Sequence, residues 1–466
     1  MVVAETNKQL LFPEELDFYR LKQFYDRKNG LRLLKNVPSW ANAREPQSSS
    51  RDKDIKAHRH DYLCGTKQQS KFSYLASYIV KTFAGLEPVL AEELRNLGAA
   101  DVRELKRAVG FEGDQQLMYR ANYELRTALR VLMPIDTFTA YNEQDLYEGI
   151  RHTDWSKYMG VNDSLAVDAV ANGEYFRHSK YVALLTKDAI VDQFRDHDGR
   201  RPNVNTIAPT LRVNINVHGT SVIVTLDTSG DSLHRRNYRR DTVEAPLNEV
   251  LAAGMILHSG WNANGHFVDP MCGSGTLPIE AALFAKRIPP QYKRENFGFF
   301  KWPDFDKKLW LQVKETADSK IRPFQYDILA FDIDARARNS TAVNLMSAGL
   351  ERDIKVEKMS FEKLLHPYST GTLMMNPPYD ERLQLDDIHE FYENLGDRLK
   401  KEWTGWTAWI ISSNRDALKH VGLKTSRKKT LFNGELECSF QKFELYEGSL
   451  ESTEIPPTEM PPTETV

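Results

Sequence analysis

The amino-acid sequence predicts an α/β chain in two parts: a doubly wound, mainly parallel sheet in the second half, preceded by a smaller α+β region. Three observations lead to this prediction. From Phe267 onward, short apolar runs alternate with helix-length segments, as parallel strands joined by crossover helices do. A glycine-rich loop follows the first of these runs. Residues 74–229 alternate strand and helix patterns over shorter intervals.

Composition limits the classes of function. The 466 residues carry a formal net charge of -3, so no global basic field indicates a nucleic-acid partner. The cysteines Cys64, Cys272 and Cys438 form no CxxC motif, which predicts neither a zinc site nor a disulfide framework. No apolar run approaches the roughly 20 residues of a membrane span, and no signal peptide is visible. We therefore expect a cytoplasmic protein without a membrane or metal partner.

Changes in composition divide the chain into five parts. Both ends are polar or rich in proline and threonine, which is typical of disorder. The predicted parts are a partly disordered extension (1–72), a first α+β unit (73–135), a second α+β unit (136–232), a catalytic α/β domain (233–448) with an aromatic insertion (287–322), and a disordered acidic tail (449–466).

The upstream elements follow from apolar periodicity. In the second unit, apolar residues alternate over 211–217 before a turn at His218-Gly219 and a return strand over 222–226. In the first unit we expect strands over 74–80 and 102–111 and helices over 86–97 and 115–129.

The elements of the second half begin with a helix over 244–258, with Pro246 in its first turn. The insertion is too aromatic for a linker, so we expect it to pack on the core; a substrate wall is the alternative. The predicted strands are 267–268, 328–331, 354–358, 372–375, 407–412 and an antiparallel pair within 431–445, and the predicted helices are 278–285, 335–347, 361–365 and 388–401.

An arginine-rich segment, residues 231–240, joins the two halves. Arginine makes bidentate phosphate contacts, and tyrosine can stack on an unpaired base. Arg235, Arg236, Tyr238 and Arg239 are therefore candidates for RNA contact. A solvated linker is the alternative.

The glycine-rich loop DPMCGSGT begins at Asp269 and contains Gly273 and Gly275, which permit positive φ and close approach to a ligand. The lysine of a phosphate-binding P-loop is absent, and so is the full GxGxxG of a nicotinamide site. The next strand ends in Asp332, where a carboxylate can bind a ribose diol. A nucleoside ligand without a phosphate requirement fits this pattern, and S-adenosylmethionine is such a ligand.

The tetrapeptide Asn376-Pro377-Pro378-Tyr379 follows an apolar strand. It offers an amide oxygen, a carbonyl and an aromatic face at one sheet edge, which suits a flat group bearing an NH₂. A plain turn is the alternative for the tetrapeptide alone. The glycine loop and the strand-end acid, in the right order upstream, favour the functional interpretation.

Together, DPMCGSGT, FDID and NPPYDER resemble the amino-methyltransferase branch of the class I S-adenosylmethionine-dependent enzymes. The segments SGDSLHRRNYR, EAPLNE and FNGELEC are similar to those of the THUMP-domain bacterial 23S rRNA N2-guanosine methyltransferases. The resemblance covers about 74–448. It implies a Rossmann-like catalytic domain preceded by a ferredoxin-like unit and a THUMP RNA-binding domain, with 23S rRNA bound before ribosome assembly is complete.

The resemblance also assigns roles to residues. Asn376 and the Pro377 carbonyl accept hydrogen bonds from the target amine, Pro378 completes the turn, and Tyr379 stacks on the base. Two positions depart from the family: Asp380 replaces a glycine, and Ser360 falls where many relatives carry an acid that holds the adenine amine. The implied cofactor site comprises Pro246, Asp269, Pro270, Cys272, Gly273, Gly275, Thr276, Asp332 and Ser360.

These patterns predict an RNA methyltransferase that makes N2-methylguanosine in 23S rRNA. An N6-adenine methyltransferase acting on RNA or DNA is an alternative, because adenine offers an NH₂ to the same turn. Protein glutamine methylation is a third use of such a turn, and the upstream units argue against it. A non-catalytic RNA-binding or ribosome-assembly protein is the alternative from another class.

Overall fold

The computed structural model describes residues 75–243, 246–365, 368–378 and 385–446. The N-terminal extension, predicted to be partly disordered, and the acidic tail, predicted to be disordered, lie outside these ranges, as do Tyr379 and Asp380. Within the described ranges, no helix combines the length and the apolar character that crossing a membrane requires.

The two upstream units share one eight-stranded sheet in the order β2-β3-β1-β4-β8-β7-β5-β6. Strand β4 joins them, because it pairs with β1 on one side and β8 on the other. Helices cover this sheet and bury a common core. The elements are β1 (Ala76–Lys81), α1 (Glu87–Asn96), β2 (Ala100–Leu105), β3 (Ala108–Gly113), α2 (Gln115–Glu124), β4 (Arg130–Thr139), α3 (Glu143–His152), β5 (Ser164–Asn172), α4 (Ser179–Asp198), β6 (Asn203–Val204), β7 (Leu211–His218) and β8 (Ser221–Asp227).

Two upstream predictions were wrong. The single strand expected over 102–111 is the hairpin of β2 and β3, which turns at Arg107 with a φ of 55°. The helix expected over 115–129 ends at Glu124. The buried carboxylate of Glu93 accepts the backbone N–H groups of Arg126 and Thr127, which holds that segment off the helical path. The alternation in β7 was predicted correctly, since its residues are buried in turn from Leu211 onward.

The second half forms a seven-stranded sheet in the order β11-β10-β9-β12-β13-β15-β14. Strands β9 to β13 pair in parallel, and β15 pairs antiparallel with β13 and β14. This confirms the predicted doubly wound fold with a closing antiparallel pair. The elements are α5 (Glu249–Ser259), β9 (His266–Asp269), α6 (Thr276–Ala285), α7 (Lys307–Asp318), β10 (Ile328–Asp332), α8 (Ala335–Ala348), β11 (Ile354–Lys358), β12 (Gly371–Met375), α9 (Leu385–Glu402), β13 (Trp406–Ser412), α10 (Ala417–His420), β14 (Arg427–Asn433) and β15 (Leu436–Glu444).

Helix α5 begins later than predicted. The side chain of Asn248 accepts a hydrogen bond from the backbone N–H of Val250 at 2.9 Å and so caps the helix, as N-cap asparagines do. Pro246 therefore precedes the helix and does not lie in its first turn.

The large aromatic rings of the insertion pack into the core of the first sheet. Its Phe299 stacks on Tyr119 of α2 with ring centroids 4.6 Å apart. Trp310 of α7 meets Tyr123 edge to face at 5.5 Å. The backbone N–H of Phe299 also donates to the carbonyl of Thr228, just after β8. The insertion thus fastens the catalytic domain to the upstream region.

Candidate active site

Three functional positions meet at one edge of the catalytic sheet. Asp269 ends β9, Asp332 ends the neighbouring β10, and Asn376 follows β12 on the other side of β9. All three strands run parallel, so their carboxyl ends share an edge. Ligands of open α/β sheets bind at this edge.

The glycine loop between β9 and α6 is held by the protein's own backbone. The N–H of Cys272 donates to the carbonyl of Phe331, and that of Gly275 donates to the carbonyl of Cys272. Gly273 and Gly275 have φ values of 54° and 83°, a region that favours glycine. A Cβ on Gly275 would also lie 2.8 Å from the Thr341 side chain. The loop therefore requires glycine at these positions.

Asp332 is a half-buried carboxylate with a fixed orientation. One oxygen accepts from the N–H of Gly273 at 2.9 Å, and the other accepts from the N–H of Asp334 at 2.9 Å. Each oxygen keeps a further lone pair, so the group can accept hydrogen bonds from a diol. This geometry suits the ribose role that the sequence predicts.

Asp269 differs from Asp332 because its side chain is buried, with 1% of its surface exposed. Burial raises the pKa of its carboxyl well above the ordinary value, and the nearby charge of Asp332 raises it further. One oxygen accepts from the N–H of Met271 at 3.1 Å. Asp269 therefore holds the start of the glycine loop through the backbone of Met271.

The other predicted cofactor residues take varied positions. Cys272 is buried, and its thiol lies 3.5 Å from the Thr341 hydroxyl. Pro270 is buried and Pro246 is half-buried. The Thr276 side chain is occupied by Arg239, as described next.

Arg239, predicted to contact RNA, instead ties the inter-domain linker to the glycine loop. Its guanidinium, which is 21% exposed, donates to the Glu249 carboxylate at 2.7 Å, the Ser274 hydroxyl at 3.1 Å, the Thr276 hydroxyl at 2.8 Å and the Leu247 carbonyl at 3.1 Å. All these contacts lie within the catalytic domain. These contacts occupy the guanidinium, and the RNA contact of Arg239 stays a prediction.

The buried side chain of Asn344 in α8 holds the same linker from the opposite side. Its amide oxygen accepts from the N–H groups of Arg240 and Asp241. Its NH₂ donates to the carbonyls of Asp241 and Ser274 at 2.8 and 2.9 Å. Ser274 is thus held through both its hydroxyl and its carbonyl.

Arg236 and Tyr238 are buried, with 2% of each exposed, and this contradicts their predicted role in binding RNA. The Arg236 guanidinium lies 3.5 Å from the Glu280 carboxylate, and the Tyr238 hydroxyl donates to Glu280 at 3.2 Å. Burial raises the pKa of Glu280, and the charges of Arg236 and Arg126 oppose that shift. These residues form an internal polar cluster.

Arg235 is the one predicted RNA-contact residue of the four that faces solvent. Its side chain is 65% exposed, with Asp231 at 3.8 Å. A pair so exposed is weak, so the guanidinium is available to a partner.

Sequence reasoning missed Glu249, Glu280, Ser274 and Asn344 as site-supporting residues. A lone carboxylate within the apolar run of α6, as at Glu280, signals an internal cation partner. Asn344 lies on an ordinary helical pattern and gives no such signal.

One trio within the described ranges could hold a metal ion: the ligand atoms of His389, Asp416 and His420 lie within 4.8 Å of one another. The two imidazole rings are stacked, 4.1 Å apart and 13° from parallel. A metal ion lies near the plane of each ligating ring, and these planes do not converge. We assign no metal to this trio.

Comparisons with known proteins agree with this geometry. Three family models match the chain: the RlmL ferredoxin-like domain over 77–132, the THUMP domain over 140–227 and the RMKL-like methyltransferase domain over 236–442. A Synechocystis protein, named as a candidate RNA methyltransferase, is 38% identical over 79% of this chain and 97% of its own length. The chain belongs to this family of methyltransferases.

Two further relatives add to this assignment. The ribosomal RNA large subunit methyltransferase K/L of Methylococcus capsulatus is 38% identical over 78% of this methyltransferase. The match covers 50% of that relative, so the chain spans about half its length. The crystal structure of SMU.472, described as a candidate methyltransferase complexed with SAH, has a TM-score of 0.73 and 30% identity, covering 80% of this chain and 99% of that one.

The cofactor of this methyltransferase is S-adenosylmethionine, and the residues at the sheet edge fit it. Beside Asp332, the backbone N–H of Met359 donates to the Asp332 carbonyl. The next residue, Ser360, has a buried hydroxyl without a hydrogen-bond partner among the described residues. Buried hydroxyl groups are normally satisfied, so this one fits a position beside a polar ligand.

Proposed function

We propose that this methyltransferase transfers the methyl group of S-adenosylmethionine to the N2 amine of a guanosine in 23S rRNA. The observation that carries the proposal is the position of Asn376 and Pro377, directly after β12 and beside the strand that leads into the glycine loop. The THUMP match and the name of the Methylococcus relative support an rRNA substrate.

The target amine requires positioning more than activation. The exocyclic nitrogen of guanine shares its lone pair with the ring and is a weak nucleophile. The amide oxygen of Asn376 and the carbonyl of Pro377 would accept its two N–H bonds, which directs the lone pair at the methyl group and stabilises the positive charge that develops. Tyr379, outside the described residues, would stack on the base.

The cofactor, when bound, supplies a methyl group on a sulfonium with a neutral thioether as leaving group. Asp332 would accept from the ribose hydroxyls and Ser360 would lie beside the adenine. Gly273 and Gly275 would allow the backbone to approach. As the N–C bond forms the S–C bond breaks, and the amine then releases one proton to water. No strong base is required.

Unstacking a guanosine costs the least free energy in an RNA loop or bulge. We therefore propose protein-free or partly assembled 23S rRNA as the substrate, which places the enzyme in the bacterial cytoplasm.

The direct test is to incubate the purified protein with methyl-labelled S-adenosylmethionine and an unmodified large-subunit rRNA transcript. We expect the label in N2-methylguanosine. Label in N6-methyladenosine would establish the alternative methyltransferase, and no transfer to any RNA would favour the non-catalytic alternative.

Asn376→Ala tests the residue that carries the proposal. Removal of one oriented hydrogen-bonding group from a transition state costs about 100- to 1000-fold in rate. We expect a loss of at least that size, with the Kd for S-adenosylmethionine within about twofold of wild type because Asn376 contacts the acceptor. Asn264→Ala is the control, since Asn264 is exposed before β9 at the opposite edge of the sheet. Loss of cofactor binding in Asn376→Ala would contradict the assigned role.

A further inference from the structure

A run of exposed cations lies on the edge strand of the catalytic domain, away from the active site. Between Asp416 and Glu435 the sequence has five lysines or arginines and no acid. Three of these, Arg427, Lys428 and Lys429, open strand β14 and are exposed. We call them the β14 cations. They stand out because the whole chain has a net charge of -3.

The β14 cations have no acidic partner among the ion pairs of the described residues. Their neighbours differ: Lys419 lies 2.9 Å from Asp416, and Lys442, opposite Arg427 in the ladder, lies 2.8 Å from Glu444. The side chains of the β14 cations are thus exposed to solvent and can contact an anionic partner.

Two of the β14 cations also influence the buried imidazole of His258, near the end of α5. Burial lowers the pKa of this imidazole, and Lys429 and Arg427 lower it further. Its Nε2 lies 2.8 Å from the carbonyl of Gly85. Arg427 and Lys429 therefore lie close enough to His258, at the junction between β14 and the first sheet, to act on its imidazole.

The basic surface continues onto the upstream region at this junction. The Arg107 guanidinium lies over the Phe432 ring, 5.8 Å from its centroid. Gly85 packs so closely that a Cβ there would lie 2.5 Å from the Thr430 carbonyl. Lys106, at the turn of the same hairpin as Arg107, is exposed. The face of β14 that carries Arg427 and Lys429 thus adjoins the ferredoxin-like unit, and Lys428 lies on the other face of the same edge strand.

The position of this surface suits RNA that flanks the target nucleotide. In the sheet order, β14 lies three strands from β12, or about 14 Å at the usual spacing of about 4.8 Å between strands. Lys429 is level with Ile411, near the carboxyl end of β13. An RNA segment a few nucleotides from the active site can therefore cover the β14 cations.

We propose that the β14 cations contact phosphates of the substrate RNA and hold a segment next to the methylated nucleotide. This rests on the proposed function for the identity of the RNA. Phosphate contacts position nucleic acid without reading its sequence. Charged residues on an edge strand also prevent pairing between sheets, and that alternative predicts a different experimental result.

The test compares two pairs of adjacent lysines. Lys428→Gln/Lys429→Gln removes two β14 cations, and Lys307→Gln/Lys308→Gln removes two exposed lysines at the start of α7. Binding of an unmodified large-subunit rRNA transcript is measured from 50 to 300 mM salt. For the β14 pair we expect about 10-fold weaker binding and a log–log salt slope smaller by about 2. The α7 pair should change neither quantity measurably.

Turnover separates RNA binding from chemistry. In the β14 pair we expect KM for RNA to rise while kcat and the Kd for S-adenosylmethionine stay at wild-type values. Equal RNA affinity in the two double variants would overturn the proposal. The proposal would also be overturned if the β14 variant self-associates while its monomer binds RNA with wild-type affinity. That result would establish that the β14 cations prevent pairing between sheets.

A measurement on the wild-type protein does not depend on variants. RNA should protect Lys428 and Lys429 from an amine-reactive label while Lys307 and Lys308 stay reactive, and equal reactivity with and without RNA would overturn the proposal. If RNA protects the β14 cations but no methyl group reaches guanosine, the surface stands and the proposed function fails. If methyl groups reach guanosine but RNA does not protect Lys428 and Lys429, the proposed function stands and the RNA contact of the β14 cations fails.

Discussion

Two basic segments of this chain have opposite structural fates. The linker, residues 231–241, looks like an RNA-binding segment in the sequence, yet Arg236 and Arg239 point inward. The sequence pattern predicts no binding role for the β14 cations, yet they are exposed at the junction of both domains. Both segments contain adjacent cations, Arg235-Arg236 and Arg239-Arg240 in the linker and Arg427 to Lys429 in β14, so the number of charges does not separate them.

The difference lies in the acids that the fold brings to each segment. Arg236 of the linker meets Glu280 on α6, which is distant in sequence, and Arg239 meets Glu249 at the start of α5, which is near in sequence. Both carboxylates are buried. Buried charges require such partners. No acid forms an ion pair with the β14 cations among the described residues. A basic run is therefore better judged by the acids near it in the fold than by its own composition.

The largest expected effect tests the internal cluster. Glu280→Ala leaves Arg236 buried without its carboxylate, and removing one partner of a buried ion pair costs about 3–5 kcal/mol. Chemical denaturation should show a fall of that size in the free energy of unfolding. Glu437→Ala, which removes an exposed partner of Arg415, is the control and should change it by less than about 1 kcal/mol. Similar values for the two variants would mean that the linker arginine is not structurally required.

Arg239→Gln sharpens the comparison at the level of ligands. The substitution removes the charged contacts to Ser274 and Thr276, and hydrogen bonds to charged groups contribute about 1.5–3 kcal/mol each. We expect the Kd for S-adenosylmethionine to rise about 10-fold or more, while RNA affinity stays unchanged. Calorimetry with the cofactor and a parallel RNA titration check both. A loss of RNA affinity alone would return Arg239 to the role that the sequence suggested.

Asp269→Asn examines a buried acid that has no ion-pair partner among the described residues. The pKa of Asp269 is raised in the folded state, so the folded protein holds this proton more tightly than the unfolded chain, where the pKa is about 3.9. The stability it contributes is complete below that pH and is lost as the pH rises through the folded-state pKa.

Asparagine keeps the acceptor for Met271 and does not ionise. Relative to wild type, we therefore expect Asp269→Asn to gain stability as the pH rises above about 3.9 and through the raised folded-state pKa of Asp269. Thermal unfolding of the cofactor-free protein across that range measures the gain. A difference independent of pH would show that the carboxylate is not held protonated by its surroundings.

The smallest expected effect belongs to Arg235, the exposed residue of the linker. Arg235→Gln removes at most one phosphate contact, so the salt slope of RNA binding should fall by about 1 or less. Cofactor affinity and unfolding should match wild type. A change in stability as large as that of Glu280→Ala would place Arg235 with the internal cluster.

Much of the fold could be predicted from the sequence, because alternation of apolar runs directly reflects parallel strands. The strand over 354–358 and the alternation of β7 followed from local pattern alone. The split of 102–111 into a hairpin and the early end of α2 did not, since one depends on a positive φ at Arg107 and the other on the remote carboxylate of Glu93.

The site was predictable to the extent that it lies at strand ends. Asp269, Asp332 and Asn376 could be placed there because motifs follow apolar runs in a fixed order. The roles of Arg236, Tyr238 and Arg239 could not be predicted, because their partners come from helices α5 and α6. The lone carboxylate of Glu280 signals a buried cation but does not reveal which residue supplies it. The packing position of the aromatic insertion likewise depends on aromatic rings of α2, which are distant in sequence.

Nucleoside mass spectrometry of 23S rRNA tests the proposed activity most directly. The rRNA would come from a strain that lacks this gene, complemented with the wild-type protein or with Asn376→Ala. We expect one N2-methylguanosine to be missing in the deletion strain, restored by the wild type and not by the variant. Unchanged N2-methylguanosine together with a missing N6-methyladenosine would contradict the proposed function.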